Sequence, residues 1–248
     1  MRNLLQSLVG YEVERIGRKS FAVINQQCKT DAWFSYQAQI KSIIEKYKID
    51  LVIDVGANKG QFARNLRSLY QGEIISFEPV SSVFAELAAV SSSDPNWHIH
   101  KFALGSQNSN QTINISQQTV FSSLLKVNDY CVEHFGSGTL GMKEEVVAVR
   151  RLDTLIHEIA PDFENKRIFI KMDTQGYDQE VFNGLGNILN QVVLLQSELS
   201  LIPIYEGMPH WTESISNYEK NGFGIVGMFP VNWDSERIIE YDCLLIRI

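Results

Sequence analysis

Leu51-Val52-Ile53-Asp54-Val55-Gly56-Ala57-Asn58-Lys59-Gly60 is the stretch on which the reading of this chain turns. A β-branched apolar run ends in a carboxylate, passes through a tight turn with Gly56 and Gly60, and enters helical periodicity. That is the strand–turn–helix opening of an α/β nucleotide-type site, where a ligand lies beyond the carboxyl end of the strand. A dinucleotide fingerprint would place a second glycine two residues after the first, so that backbone can approach a pyrophosphate. Asn58 holds that place, and its side chain would crowd a phosphate. The turn suits an adenosine ligand without phosphates.

Outward from this turn, the pattern alternates between period two and period 3.6. Phe62, Leu66 and Leu69 mark one helix face, Ile74–Phe77 a second strand, and Val83, Phe84 and Leu87 a helix opened by Pro79 and Ser81. Trp97–Ala103, Arg167–Met172 and Val192–Leu195 read as three further strands. A helix over Thr212–Lys220 stops at Asn221-Gly222, as a C-cap should. Phe223–Phe229 and Ile238–Ile248, joined by a polar turn from Asn232 to Glu236, predict a closing antiparallel hairpin. The expected fold is α/β: a mostly parallel, Rossmann-like sheet with helices on both faces.

Residues 49–248 are expected to form this domain. Residues 1–48 read as a helical extension, with Trp33, Tyr36, Ile40, Ile43, Ile44 and Tyr47 at helical spacing behind Asp31 as an N-cap. It is expected to pack on the core edge, with a lid or homodimer contact as the alternative. Between about 106 and 150 the pattern weakens to two alternating stretches, Gln111–Ile115 and Glu145–Arg150, separated by loop. A long insertion of that kind is usually functional, and acceptor binding is placed there.

Composition narrows the partners. The 248 residues, 44% of them hydrophobic, can bury one substantial core. A net charge of −7 argues against nucleic acid as a partner. Cys28, Cys131 and Cys243 contain no CxxC pair and read as thiols of a reducing compartment. The apolar run Leu4, Leu5, Leu8 and Val9 is interrupted and then followed by Glu12 and Glu14, unlike a signal peptide. No segment is long enough to span a membrane. A soluble, cytoplasmic protein is expected.

Four apolar runs end in acids: Asp54, Glu78, Asp173 and Glu198. Parallel strands would bring these ends to one crevice, where buried carboxylates need a cation or hydroxyl groups as partners. S-adenosyl-L-methionine offers both, through its sulfonium, its amino group and its ribose diol. The structural alternative is that each acid caps a neighbouring helix. Glu78, about twenty residues past the glycine turn, is placed to accept ribose hydroxyls. Methyl transfer to a hydroxyl is an in-line displacement requiring a held oxygen and a proton acceptor, for which Asp173, Glu198 and His210 are candidates. Asp173, Asp178 and Glu198 are hard oxygen ligands, but nothing in their spacing demands a metal, and none is assigned. A nicotinamide oxidoreductase and a non-catalytic adenosine-binding domain are the competing readings. Asn58 and the closing hairpin disfavour the first.

The ordered set of motifs resembles the FkbM family of S-adenosylmethionine-dependent methyltransferases. It comprises Ile53–Gly60, Phe77-Glu78-Pro79, Ala103-Leu104-Gly105, Ser122-Ser123-Leu124 and Arg151–Leu155. It continues through Lys171–Asp178, Glu198, Tyr205–Pro209, Gly222-Phe223 and Asp242. The resemblance runs from about residue 49 to the end. It implies a seven-stranded Rossmann-like methyltransferase core acting on a hydroxyl of a sugar, glycoconjugate or natural product. By the same resemblance, Asp54, Gly56, Ala57, Asn58 and Gly60 line the methionine end of the cofactor; Asp173, at the end of its strand, is placed to face both the transferring methyl and the acceptor. Glu78 with Pro79 holds the ribose, and Ala103 and Leu104 lie near adenine. Gln175 and Asp178 stand where relatives often carry Glu, a departure that bears on the acceptor.

Overall fold

The computed structural model describes residues 18–234 and 237–248, with side chains of the first helix from residue 30 onward. Leu4, Leu5, Leu8, Val9, the side chain of Cys28 and part of the Asn232–Glu236 turn lie outside the described residues. The main sheet is built from β1 (Leu51–Val55), β2 (Glu73–Phe77), β3 (Trp97–His100), β7 (Ile168–Met172), β8 (Val192–Ser200), β9 (Phe223–Trp233) and β10 (Ile238–Arg247). Its order is β3-β2-β1-β7-β8-β10-β9. The first five strands are mutually parallel, and β10 runs antiparallel between β8 and β9. This is the expected Rossmann-like, mostly parallel sheet, with the chain-terminal hairpin folded so that its second strand is the inner one.

Strand alternation sends side chains to two different cores. On one face Ile53, Ile75, Ile170, Leu195 and Leu245 pack with α5 (Leu152–Ile159), α6 (Asp178–Asn183) and α7 (Trp211–Lys220). On the other, Val52, Phe169, Leu194 and Leu244 meet α1 (Arg18–Tyr47), α2 (Gln61–Leu66) and α3 (Ser81–Ser91). Tyr36, Ile40, Ile43 and Ile44 seat α1 on this second face, each worth roughly 1.5–3 kcal/mol of burial. Trp33, above them, is 48% exposed.

Four expectations need correction. Asp31 does not begin a helix: α1 is continuous from Arg18, since an exposed Asp inside a helix costs only tenths of a kcal/mol. The third strand stops at His100, because β2 gives way to Glu78-Pro79 and Pro79 has no N–H to extend the ladder. The fifth strand runs on to Ser200, drawn out by its pairing with the long β10. Glu198 therefore lies inside a strand rather than beyond one.

The stretch from 106 to 150 is also more regular than its sequence predicts. β4 (Ala103–Leu104), β5 (Ser109–Ser116) and β6 (Gly141–Arg150) form a second sheet of order β4-β6-β5, with a short helix α4 (Asp129–Phe135) between β5 and β6. Ile113 and Val147 pack this sheet on Val80 and Val83 at the start of α3. Ser123 ties the intervening loop to the turn after β7, its hydroxyl donating to the Gln175 carbonyl at 2.7 Å.

Candidate functional site

Register places a polar rank across the α1-facing side of the main sheet. Ser76, Asp54, Lys171 and Gln196 are neighbours on β2, β1, β7 and β8. Asp54 is completely buried, and Lys171 nearly so. The Lys171 ammonium lies 3.2 Å from Asp54 Oδ1 and 3.2 Å from Asp173 Oδ2, with the Phe62 ring 5.3 Å away. Ser76 donates to the other Asp54 oxygen at 3.2 Å. Burial pushes the Asp54 carboxyl upward against the pull of Lys171, while the two carboxylates hold Lys171 firmly protonated.

Above this rank the chain opens into a cleft. The β1 turn forms its floor. Gly56 has φ +77°, and a Cβ there would stand 2.0 Å from the Asp173 carbonyl oxygen, so only glycine lets the two turns press together. Glu78, Pro79 and Val80 form one wall, Ala103 and Leu104 a second, and Ile113, Thr119 and Ser122–Leu124 the cover. Glu78 accepts the Asn58 N–H at 3.0 Å and the Val80 N–H at 2.8 Å, one on each oxygen. Each oxygen keeps a further lone pair. Burial pushes this carboxyl up to about 7, against those two backbone donors.

A second cleft adjoins the first and shares Gly56, Asn58, Val120 and Asp173 with it. Its remaining walls come from Trp33, Tyr36 and Gln37 of α1, from Ala57 and Phe62, and from Lys171, Gln196 and Asp242. Asp173 thus stands at the junction. Its Oδ1 accepts from Gln175 Nε2 at 2.9 Å, and the same amide group reaches Glu198 Oε2 at 2.8 Å. Tyr205 donates to Gln175 Oε1 at 2.7 Å, which fixes the amide orientation. Burial and the neighbouring Glu240 and Asp173 push the Glu198 carboxyl well up.

The residues singled out from sequence divide accordingly. Gly56, Asn58, Glu78, Pro79, Ala103, Leu104 and Asp173 line the first cleft, and Ala57 lines the second. Asp54 lies beneath both. Gly60 packs against Trp97 and Leu87, where a Cβ would stand 2.6 Å from the indole. Glu198 borders a small crevice with Met208 and Trp211. His210 is exposed, lines an outer groove with Met208 and Glu213, and caps α7 by accepting the Thr212 N–H. Asp178 serves the local fold, accepting from Thr174, Ser197 and the Glu198 N–H. Lys171 was missed, although a lysine inside an otherwise apolar strand already asks for a buried counter-ion.

The sequence profile of the family described as "Methyltransferase FkbM domain" matches residues 54–224. Among solved structures the chain is similar to magnesium protoporphyrin IX methyltransferase from Synechocystis PCC 6803 with bound SAM. The identity is 10% and the TM-score 0.47, over 100% of this chain and 95% of that one. It is similar to fibrillarin from Aeropyrum pernix in complex with S-adenosyl-L-methionine at 9% identity and TM-score 0.46, over 79% of this chain and 66% of that one. An rRNA methylase from Streptococcus thermophilus matches at 11% identity and TM-score 0.44, over 85% of this chain and 95% of that one. No curated protein matches the sequence.

Proposed function

The chain belongs to the FkbM methyltransferase family and uses S-adenosyl-L-methionine, and on that premise we propose that it methylates a hydroxyl oxygen of a sugar, glycoconjugate or other natural product. Bound in the first cleft, S-adenosyl-L-methionine would supply an electrophilic methyl group carried on a positively charged sulfur. The cleft suits it. Glu78 keeps lone pairs for a ribose diol, and Leu104, Val80, Ile113 and Leu124 offer apolar surface to a base. Glu78 and Asp173 favour a cation and oppose a phosphate, as Asn58 does by its bulk. A pyrophosphate would meet two carboxylates here.

One observation carries the reading: Asp173 lies where the two clefts meet, so a donor in one and an acceptor in the other would face each other across it. Asp173 is proposed to orient the reacting groups, held by Lys171 and Gln175. Glu198 supports it through the shared Gln175 amide. The turn after β7 reads Asp173-Thr174-Gln175-Gly176, without the Asn/Asp-Pro-Pro-aromatic motif typical of enzymes that methylate amino groups of bases. Methyl-labelled cofactor incubated with separate glycan, small-molecule, RNA and protein pools from the producing cells tests this. Label is expected as an alkali-stable ether in the glycan or small-molecule pool; label confined to RNA or protein would refute it. Asp173→Asn is expected to lower turnover.

A further inference from the structure

We infer that the second cleft is the acceptor site and that Asp242 is its proton acceptor, positioned by Tyr36 of α1 through Gln196. The inference rests on the methyltransferase reading above. Tyr36 donates to Gln196 Oε1 at 2.8 Å, a bond between residues 160 positions apart. With that oxygen engaged, Gln196 Nε2 points the other way and donates to Asp242 Oδ1 at 3.0 Å. Among the described residues Asp242 Oδ2 accepts no hydrogen bond, and Asp242 lines the cleft. Neither oxygen of Asp173 is free in this way, because Lys171 and Gln175 take one each. Trp33 and Phe229 flank Asp242 in the adjoining groove, giving an aromatic wall beside a carboxylate. Such a wall suits the apolar face of a polyhydroxylated ring.

The groups facing Asp242 are Lys171 on β7, Asp173 just past its end, Glu198 on β8, Glu240 on β10 itself and Tyr36 on α1. Burial and the negative charge of Asp173 push its carboxyl up to about 7, against the Gln196 donor and Lys171. A base with that affinity accepts a proton near neutral pH. In the step, the acceptor oxygen forms the new O–CH3 bond as its proton passes to Asp242 Oδ2. The S–CH3 bond breaks, its electron pair staying on sulfur and cancelling the sulfonium charge. The proton then leaves to solvent through the open side of the groove.

The test uses the full chain with S-adenosylhomocysteine as probe. In a crystal of that complex the sulfur is expected to face the Trp33–Tyr36–Asp242 groove. NMR of aspartate side-chain carboxyl carbons is expected to show Asp242 titrating near neutral pH, and higher still in Tyr36→Phe, whose Gln196 is no longer held. Calorimetry is expected to give unchanged S-adenosylhomocysteine affinity for Tyr36→Phe and Asp242→Asn. A sulfur facing the His210–Met208 groove, or an Asp242 that titrates as an ordinary carboxylate, overturns the assignment. An Asp242 unmoved by Tyr36→Phe overturns the positioning role. If the unmodified protein fails to bind the probe at all, the cofactor cleft itself is misassigned, a separate failure.

Discussion

Lys171→Met removes the ammonium that lies 3.2 Å from a carboxylate with no solvent access. At an effective dielectric of about 20, one such pair is worth roughly 5 kcal/mol before desolvation is counted. Breaking a buried pair from one side typically costs about 3–5 kcal/mol, because the remaining charge is stranded. For a chain of this length that corresponds to a melting temperature lower by roughly 6–20 °C. The loss should depend on pH. Without Lys171, only the Ser76 hydroxyl still opposes the burial that already raises the Asp54 carboxyl above its unfolded value. A carboxyl raised in the folded state binds its proton more tightly there than when unfolded. The variant therefore regains stability as pH falls through that raised folded value toward the unfolded one, and is weakest in alkali. Asp54→Asn in the same chain removes the stranded charge, so the double variant should recover most of the deficit. Urea unfolding at mildly acidic and mildly alkaline pH measures all three. A loss under about 1 kcal/mol, a loss that ignores pH, or a double variant no better than Lys171→Met would refute the reasoning.

Glu78→Gln keeps the shape but not the charge. Calorimetry should show S-adenosylhomocysteine affinity falling by about 1.5–3 kcal/mol, on the order of ten- to a hundredfold. In the unmodified protein the same affinity should weaken as pH falls through about 7, where Glu78 gains its proton and offers ribose hydroxyls a poorer acceptor; a flat profile between mild acid and mild alkali would contradict this. Gly56→Ala places a methyl against the Asp173 carbonyl at a positive φ, so its cofactor affinity and melting temperature should both drop, by at least about 1 kcal/mol in stability. His210→Ala should cost about 1 kcal/mol through the lost cap of α7 while leaving cofactor affinity unchanged, which chemical unfolding and calorimetry report separately.

The first cleft was largely legible in the chain because its parts are local. Asp54 through Gly60 is one strand, one turn and the start of one helix, and each carries a signature of its own residues. Glu78 follows its strand directly. A place near a strand end does not by itself say where an acid points. Asp54 and Glu198 sit inside their strands, and alternation along the strand with the neighbours across the sheet decides where they point. The weak signal between 106 and 150 has a similar cause. β5 and β6 are held by pairing to each other across a loop and a helix, which no short window contains.

The sequence by itself determined the alternation of strands and helices, the glycine turn after β1, the carboxylate that follows β2 and the closing hairpin, since these follow from short-range sterics and the periodicity of burial. Only the tertiary structure decided that β10 slots between β8 and β9, that Lys171 neutralises a carboxylate sealed beneath the cleft, and that α1 reaches over to hold Gln196. Those contacts join residues up to 160 positions apart. Their energy lies in pairings across the sheet, and many partners are compatible with any one local pattern until the chain has folded.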